Sequence, residues 1–240
     1  MKEEINIPSK FTTRVFFMQH IAPYSYVRKF SVDKLVLDAG TSTGYGAFYL
    51  SQVAKLSVGM DINPEAICEA QKNYFRDNLK YLTGNVLEMQ FPNEHFDIII
   101  SSQVVEHIEL DKLDTYLSEI YRVLKKDGIF FVNTLNLLRN LKGRSIEDYD
   151  KNPHHVKEFR SEELREFLLR RFPRVEILGS RRGLRHNVYH LFKKSGIFKN
   201  APDSLNPLKR FYENKISVDD FRYSSSNLDK SIDLLGVCRK

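Results

Sequence analysis

The residues that could hold and act on a ligand in this 240-residue chain gather at two turns. In "KLVLDAGTSTGYGAFYL", Lys34 to Leu50, a short apolar run meets Asp38, and Gly40, Gly44 and Gly46 follow before a helical pattern begins. Glycines there let the backbone turn sharply and come close to a ligand or a neighbouring helix. In "VGMDINPEA" a second apolar run ends on Asp61, about twenty residues further on, where a carboxylate can accept both hydroxyls of a nucleoside ribose. Enzymes that bind nicotinamide dinucleotides share such an acid, so the glycine spacing has to separate the two chemistries. Their fingerprint, G-x-G-x-x-G, sets a pyrophosphate on a helix N-terminus. Here the order is Asp38, Gly40, Gly44, Gly46, with Ser42 where a glycine is needed. Asp38 would repel a pyrophosphate and suits a ligand with an ammonium group. A tight strand-to-helix turn that binds nothing is the plainer alternative.

Those turns need a frame. Short apolar runs alternate with longer helical patterns: strands at "KLVLD", "LSVGMD", "KYLTG", "FDIIIS" and "GIFFVNT", and helices over 12–30, 44–54, 64–75 and 111–125. Pro23 interrupts the first helical pattern, and Pro64 stands in the first turn of the third. "SEELREFLLRRF" opens a further helix with a capping signal from Ser161, and "VEILG" and "LLGVC" supply late strands. This alternation implies an α/β fold, a doubly wound, seven-stranded, mostly parallel sheet with helices on both faces. Three parts follow: an N-terminal helical segment over the pocket (1–33), a core (34–180 plus 232–240), and an insertion (181–231) that breaks the rhythm. The insertion either shapes a substrate site or partner surface, or is a peripheral subdomain without chemistry.

Composition narrows the setting. Hydrophobic residues make up 42% of the chain, with 17 Phe and 12 Tyr, enough for a packed core. No run reaches the roughly 18 apolar residues a membrane helix needs. "MKEEINIPSK" lacks the apolar stretch of a secretion signal. Cys68 and Cys238 are too few for a disulfide framework or a cysteine metal site, so a cytoplasmic protein is expected. Residues 181–240 hold 13 Lys and Arg against 6 Asp and Glu, while the rest holds 24 against 25. Such a basic quarter could meet phosphates on nucleic acid, lipid or a nucleotide sugar. No run of basic residues is interleaved with aromatics, so a solvated face is favoured over a nucleic-acid site.

Taken together, the motifs resemble those of the class I S-adenosylmethionine-dependent methyltransferases. "VLDAGTSTGYG" is similar to that family's "VLDxGxGxGYG", and "VGMDINPEAI" matches its acidic strand end. "GNVLEMQFPNEHFD" resembles "GDAxxLPFPDxSFD", "RVLKKDGIFFV" resembles "RVLKPGG" before the fifth strand, and "VVEHI" stands between them. "NPHHVKEFRSEELREFL" resembles "NPFHVREFTPEELRALL", a block familiar from methyltransferases of glycan assembly. The resemblance covers about residues 15–180 and the last strand. It implies S-adenosyl-L-methionine as cofactor, with Asp38 and the backbone of Gly40, Thr41, Ser42 and Gly44 at its methionine part. Asp61 would take the ribose, Ile62, Asn85 and Val86 the adenine, and Ser102 the region of the sulfonium. Ser42 and Asn85 depart from the family's glycine and aspartate, which leaves a cofactor-binding protein without turnover as an alternative.

Methyl transfer to a hydroxyl also calls for a base. His107, in "VVEHI", is one candidate and a packing residue by the other reading. His155, in "NPHHVKEF", where the family also has histidine, is the second, either touching substrate or packing its loop; His154 is a weaker one, and Glu106 either orients a histidine or faces solvent. His20 could help close the pocket, though an ordinary helix-surface residue is the favoured reading. Some family members bind a divalent cation through Glu-x-x-Glu-His; Gln103 stands in place of the first glutamate here, so no metal is expected. The expected acceptor is a small molecule, a sugar or a glycan precursor, with RNA or protein as the alternative suggested by the basic C-terminal region. The sequence specifies no oligomeric state.

Overall fold

The computed structural model describes residues 13–194 and 206–240. Five strands pair in parallel: β1 (Leu35–Ala39), β2 (Leu56–Asp61), β3 (Leu79–Thr83), β4 (Phe96–Ser102) and β5 (Leu124–Leu135). β6 (Arg174–Arg182), β7 (Phe221–Ser224) and β8 (Asp233–Arg239) complete one eight-stranded sheet in the order β3-β2-β1-β4-β5-β8-β6-β7. β8 runs antiparallel to both β5 and β6, and β7 antiparallel to β6. The carboxyl ends of β1, β2, β4, β5 and β6 therefore share one edge, where β8 begins.

The sequence expects seven strands; the eighth, β7, lies inside the 181–231 segment. Four residues are too few to display an alternating pattern, and the strand is defined by its pairing with Gly179–Arg182. Within the described part of this segment, α7 (Leu184–Lys194) and α8 (Pro207–Lys215) accompany β7. Tyr212, Ile216 and Phe221 form a small cluster with Ala22 of the N-terminal helix, so the segment packs onto the core. Residues 1–12 of the N-terminal segment and 195–205 of the insertion lie outside the described residues.

Both faces of the sheet are covered. Leu37, Ala39, Ile99, Phe130 and Val132 pack against α4 (Leu113–Val123) and α6 (Ser161–Leu169). Val36, Ile98, Ile100 and Phe131 face α1 (Arg14–Arg28), α2 (Tyr45–Ser51) and α3 (Pro64–Asn73). Phe96 and Ile98, two residues apart, point to opposite faces because the β4–β5 register shifts between them. The strand β5 is longer than its apolar pattern suggests: it starts at Leu124 and includes Lys126 and Asp127, the latter at φ 63°. A single 3₁₀ turn at Leu110–Lys112 precedes α4, where one continuous helix was expected.

Two local expectations are revised. Helix α1 continues through Pro23, although proline removes the amide that would meet the carbonyl of Gln19. Phe17, Ile21, Tyr24 and Val27 are all buried, and that packing outweighs one lost bond. The cap of α6 is Arg160 rather than Ser161: the Glu163 carboxylate accepts the Arg160 amide at 2.8 Å, and Ser161 is the first helical residue.

Candidate functional site

The loop between β1 and α2 is held by backbone bonds before any ligand is considered. The amides of Gly40 and Thr41 both donate to the Met60 carbonyl, at 2.8 and 2.9 Å. Gly40 takes φ +88°, and a Cβ there would lie 2.3 Å from Val104 Cγ2. Ser42 occupies the left-handed region at φ 50°, a conformation that favours glycine. Its amide donates to Asp61 Oδ2 at 2.7 Å, and Asn63 donates to Oδ1 at 2.9 Å. Asp61 thus fixes the loop residue that the sequence suggests is out of place.

Asp38 is enclosed beneath that loop. Its carboxylate accepts the Tyr24 hydroxyl at 3.0 Å and the Thr41 hydroxyl at 2.7 Å. Burial pushes its pKa up to about 7, against the pull of those two hydrogen bonds, and the charge of Asp61 adds to the rise. Burial, and then the Asp38 charge, push the Tyr24 hydroxyl far above its ordinary range. Gly46 is needed for this arrangement, because a Cβ at that position would sit 2.2 Å from the Tyr24 ring.

Five segments converge on one cleft of about 560 Å³ at the carboxyl edge. Of the residues expected to touch a cofactor, Gly40, Ser42, Asp61, Ile62, Asn85, Val86 and Ser102 line it. Asp38, Thr41 and Gly44 do not. Asp38 and Thr41 are buried against each other, and Gly44 faces Tyr81 and Ala70, with its carbonyl accepting the Tyr81 hydroxyl at 2.7 Å. Asn85 spends its side-chain oxygen partly on the Leu87 amide at 2.9 Å. Ser102 accepts the Asn133 side-chain amide at 3.2 Å. Ile62 is 67% exposed beside the cleft.

The lining also contains residues whose pattern in the sequence does not mark them as cofactor contacts. Tyr24 registers there only as an apolar position of a helix, yet with His20 it places α1 on the cleft wall. Tyr45, Gln103, Val104, Leu87, Ile108 and Lys112 join them. Gly84 also lines the cleft, and a glycine just before Asn85 is a signal that was legible. Gln103 takes φ 58° directly after β4, which no pattern of apolar residues foretells.

The two expected bases part company. His107 lines the cleft on a 3₁₀ turn, Val105–His107. Its Nδ1 donates to the His154 carbonyl at 2.9 Å, so in the neutral ring Nε2 is the acceptor, and Nε2 has no partner among the described residues. His155 does not line the cleft. Its Nδ1 donates to Glu158 at 2.8 Å, and its Nε2 accepts the Asn152 amide at 3.1 Å, which engages both ring nitrogens. The two rings meet edge to face at 5.0 Å. In this structure His155 therefore braces the loop that orients His107, which favours loop packing over substrate contact.

Glu106 neither faces solvent nor bonds a histidine. Its Oε2 accepts the Thr134 hydroxyl at 3.0 Å, its Oε1 is buried without a partner among the described residues, and burial pushes its pKa up to about 7. Its backbone carbonyl accepts the amides of Val156 at 2.7 Å and Lys157 at 3.2 Å, stapling the histidine-bearing loop to the edge. Asp233, at the start of β8, is likewise buried; its Oδ2 accepts from Gln19 at 3.2 Å and its Oδ1 has no partner among the described residues. Burial raises it to about 7, and the Glu106 charge contributes. Among the described residues no group of three His, Cys, Asp or Glu is placed to hold a metal ion, and no helix is long and apolar enough to cross a membrane.

Comparison with known proteins bears on this geometry. Residues 37–132 match a family described as a methyltransferase domain. The chain is 31% identical over 165 residues to a protein of Mycolicibacterium smegmatis named a probable S-adenosylmethionine-dependent methyltransferase; the match covers 69% of this chain and 62% of that one. A Mycobacterium tuberculosis protein with the same description is 28% identical, over 69% of this chain and 58% of its own. The chain thus spans about three fifths of the length of these curated relatives. In structure it resembles a SAM-dependent methyltransferase from Archaeoglobus fulgidus, with a TM-score of 0.64, 18% identity and 95% of each chain covered.

Proposed function

We propose that this chain is a class I S-adenosylmethionine-dependent methyltransferase, as its methyltransferase-domain match and its relatives support, that its cleft binds S-adenosyl-L-methionine, and that it methylates a hydroxyl of a small-molecule, sugar or glycan-precursor acceptor. The carrying observation is the convergence of Ser42, Asp61, Ile62, Asn85, Val86 and Ser102, from separate segments, on one cleft beside an imidazole with a free nitrogen.

The residues present suit an adenosine that carries a sulfonium. Asp61 supplies a carboxylate already oriented by two backbone amides, with lone pairs left for a ribose diol. Ile62 and Val86 offer apolar surface to the faces of a purine, and Asn85 a neutral polar group to its edge. Asp38 acts from below: it sets Tyr24 and Thr41, and its charge would favour a cation above them. A pyrophosphate would find this acidic floor unfavourable, against the dinucleotide reading. The cofactor, when bound, supplies an electrophilic methyl group on a positively charged sulfur.

The chain's own part is alignment, exclusion of water and proton removal. Tyr24, Tyr45 and His20 wall the cleft from the α1 side. His107 takes the acceptor's hydroxyl proton at Nε2, while the His154 carbonyl stabilises the Nδ1 proton and fixes the ring. We assign the 181–231 segment to the acceptor side, because β6 and β8 bring it to the same edge. Calorimetric titration with S-adenosylhomocysteine and with NAD tests the cofactor. Binding of the first alone is expected; binding of NAD alone would reject the reading.

A further inference from the structure

Beyond β5, on the same edge, the basic C-terminal region gathers into a second concavity of about 320 Å³, lined by Arg139, Arg181, Arg182, His186 and Lys230 among others. Arg181 and Arg182 close β6, and Arg139 lies in α5 (Leu137–Leu141), the helix that follows β5. Among the described residues, none of these arginines, nor Lys230, has a carboxylate within ion-pair distance. Arg181 Nη2 donates to the backbone carbonyls of Ser226 and Asn227. Arg182 Nη1 donates to His186 Nε2 at 2.9 Å, and His186 Nδ1 then donates to the Tyr212 hydroxyl. The Nε of each of these two arginines is buried and unpartnered among the described residues. Burial, and the nearby charge of Arg139, hold Arg182 below the usual guanidinium range, offset in part by Tyr212 and Asp233.

Cations set side by side without an ion-paired carboxylate cost stability unless something anionic repays them. A single carboxylate would match only part of four positive charges. A phosphate or diphosphate matches more, and guanidinium forks suit its oxygens in paired hydrogen bonds. The place is informative too. Arg182 on β6 is three strand positions from β4, whose end leads to His107, about 14 Å at the usual spacing of neighbouring strands. An extended sugar bearing a diphosphate has a length of that order. Asp233 and Gln19 lie between, and Gln19 precedes His20 on the cleft wall.

We propose that this basic concavity binds a phosphate or diphosphate group of the methyl acceptor, placing the acceptor's hydroxyl at His107. The proposal rests on the methyl-transfer reading above. Inorganic pyrophosphate is titrated into the full chain by calorimetry, with S-adenosylhomocysteine titrated in parallel. Arg139→Ala and Lys230→Ala should each weaken pyrophosphate binding at least about fivefold, and Arg139→Glu more, with S-adenosylhomocysteine affinity held within about twofold. Equal pyrophosphate affinity in wild type and Arg139→Glu would overturn the proposal. Pyrophosphate binding without S-adenosylhomocysteine binding would instead strike the methyl-transfer reading, and with it the assignment of the anion to an acceptor. Two arms identify the source. Labelled methyl transfer to UDP-glucose, inhibited by pyrophosphate, supports a soluble sugar nucleotide. Binding to phosphatidylcholine vesicles that contain polyprenyl phosphate, but not to plain ones, supports a lipid-linked acceptor. A single-stranded RNA that binds more tightly than pyrophosphate and loses affinity in the same variants would overturn the small-acceptor assignment in favour of nucleic acid.

Discussion

At the β1–β2 end of the carboxyl edge, the acidic oxygens are tied. Asp61 takes an amide on each oxygen, and Asp38 takes a hydroxyl on each. At the β5–β8–β6 end, buried polar atoms lack partners among the described residues: Glu106 Oε1, Asn133 Oδ1, Asp233 Oδ1 and Arg182 Nε. The first region is organised without a ligand, so binding there would cost little rearrangement. The second holds desolvated groups that a ligand or water would satisfy, which is where a substrate-specific demand belongs. The contrast teaches that one edge can separate a preset half from a half completed by what it binds.

His107→Ala gives the largest effect that would break this comparison. Loss of a general base should lower kcat by roughly 10²–10⁴ with S-adenosylhomocysteine affinity within about twofold. His155→Ala should lower kcat less, since it acts through its loop. The reverse order, measured on the same acceptor, would make His155 the group that touches substrate. Next comes the preset half: Asp61→Ala should weaken S-adenosylhomocysteine binding by more than about tenfold, because hydrogen bonds to a charged group are lost and the Ser42 turn loses its anchor. Unchanged affinity in calorimetry would remove Asp61 from the site. Gly46→Ala forces a Cβ into the Tyr24 ring and should cost about 1–3 kcal/mol in urea unfolding, with weaker cofactor binding alongside. A neutral result would mean that α1 does not depend on that contact.

The smallest effect concerns pH. Asp38, Glu106 and Asp233 each have a folded pKa of about 7, above the 3.8 of aspartate and 4.5 of glutamate. The folded state therefore binds more protons than the unfolded chain between about pH 4 and 7. Their contribution to stability is full below that window and is lost as pH rises through it. The melting temperature should fall from pH 5 to 8, and Glu106→Gln should flatten the decline. An identical slope in wild type and variant, followed by calorimetry, would show that Glu106 does not titrate in that range.

The first region was the more legible in sequence, for a physical reason. The contacts proposed for its ligand come from backbone turns at strand ends, and turns need glycine, aspartate and asparagine at fixed spacings, as at Gly40, Asp61 and Asn85. The sheet was legible through Ile98 to Ile100 and the runs beside it, because burial on both faces demands continuous apolar residues. What escaped was set by packing between distant segments. Nothing near Tyr24 announces that its hydroxyl will meet Asp38, and nothing in "NPHHVKEF" shows that His155 will turn away while the carbonyl of His154 turns in. The strand β7 escaped through brevity, and the basic concavity because its arginines come from β6 and from α5, some forty residues apart in sequence.

The bond from His107 Nδ1 to the His154 carbonyl has a practical consequence. The group that orients the imidazole is part of the main chain, so replacing the side chain of residue 154 leaves it in place. An alanine scan would report that position as silent. Its influence would surface only through changes that shift the peptide itself, such as loss of the Val156 and Lys157 amide bonds to Glu106, and a screen for activity would credit those residues with an effect that belongs to their neighbour's oxygen.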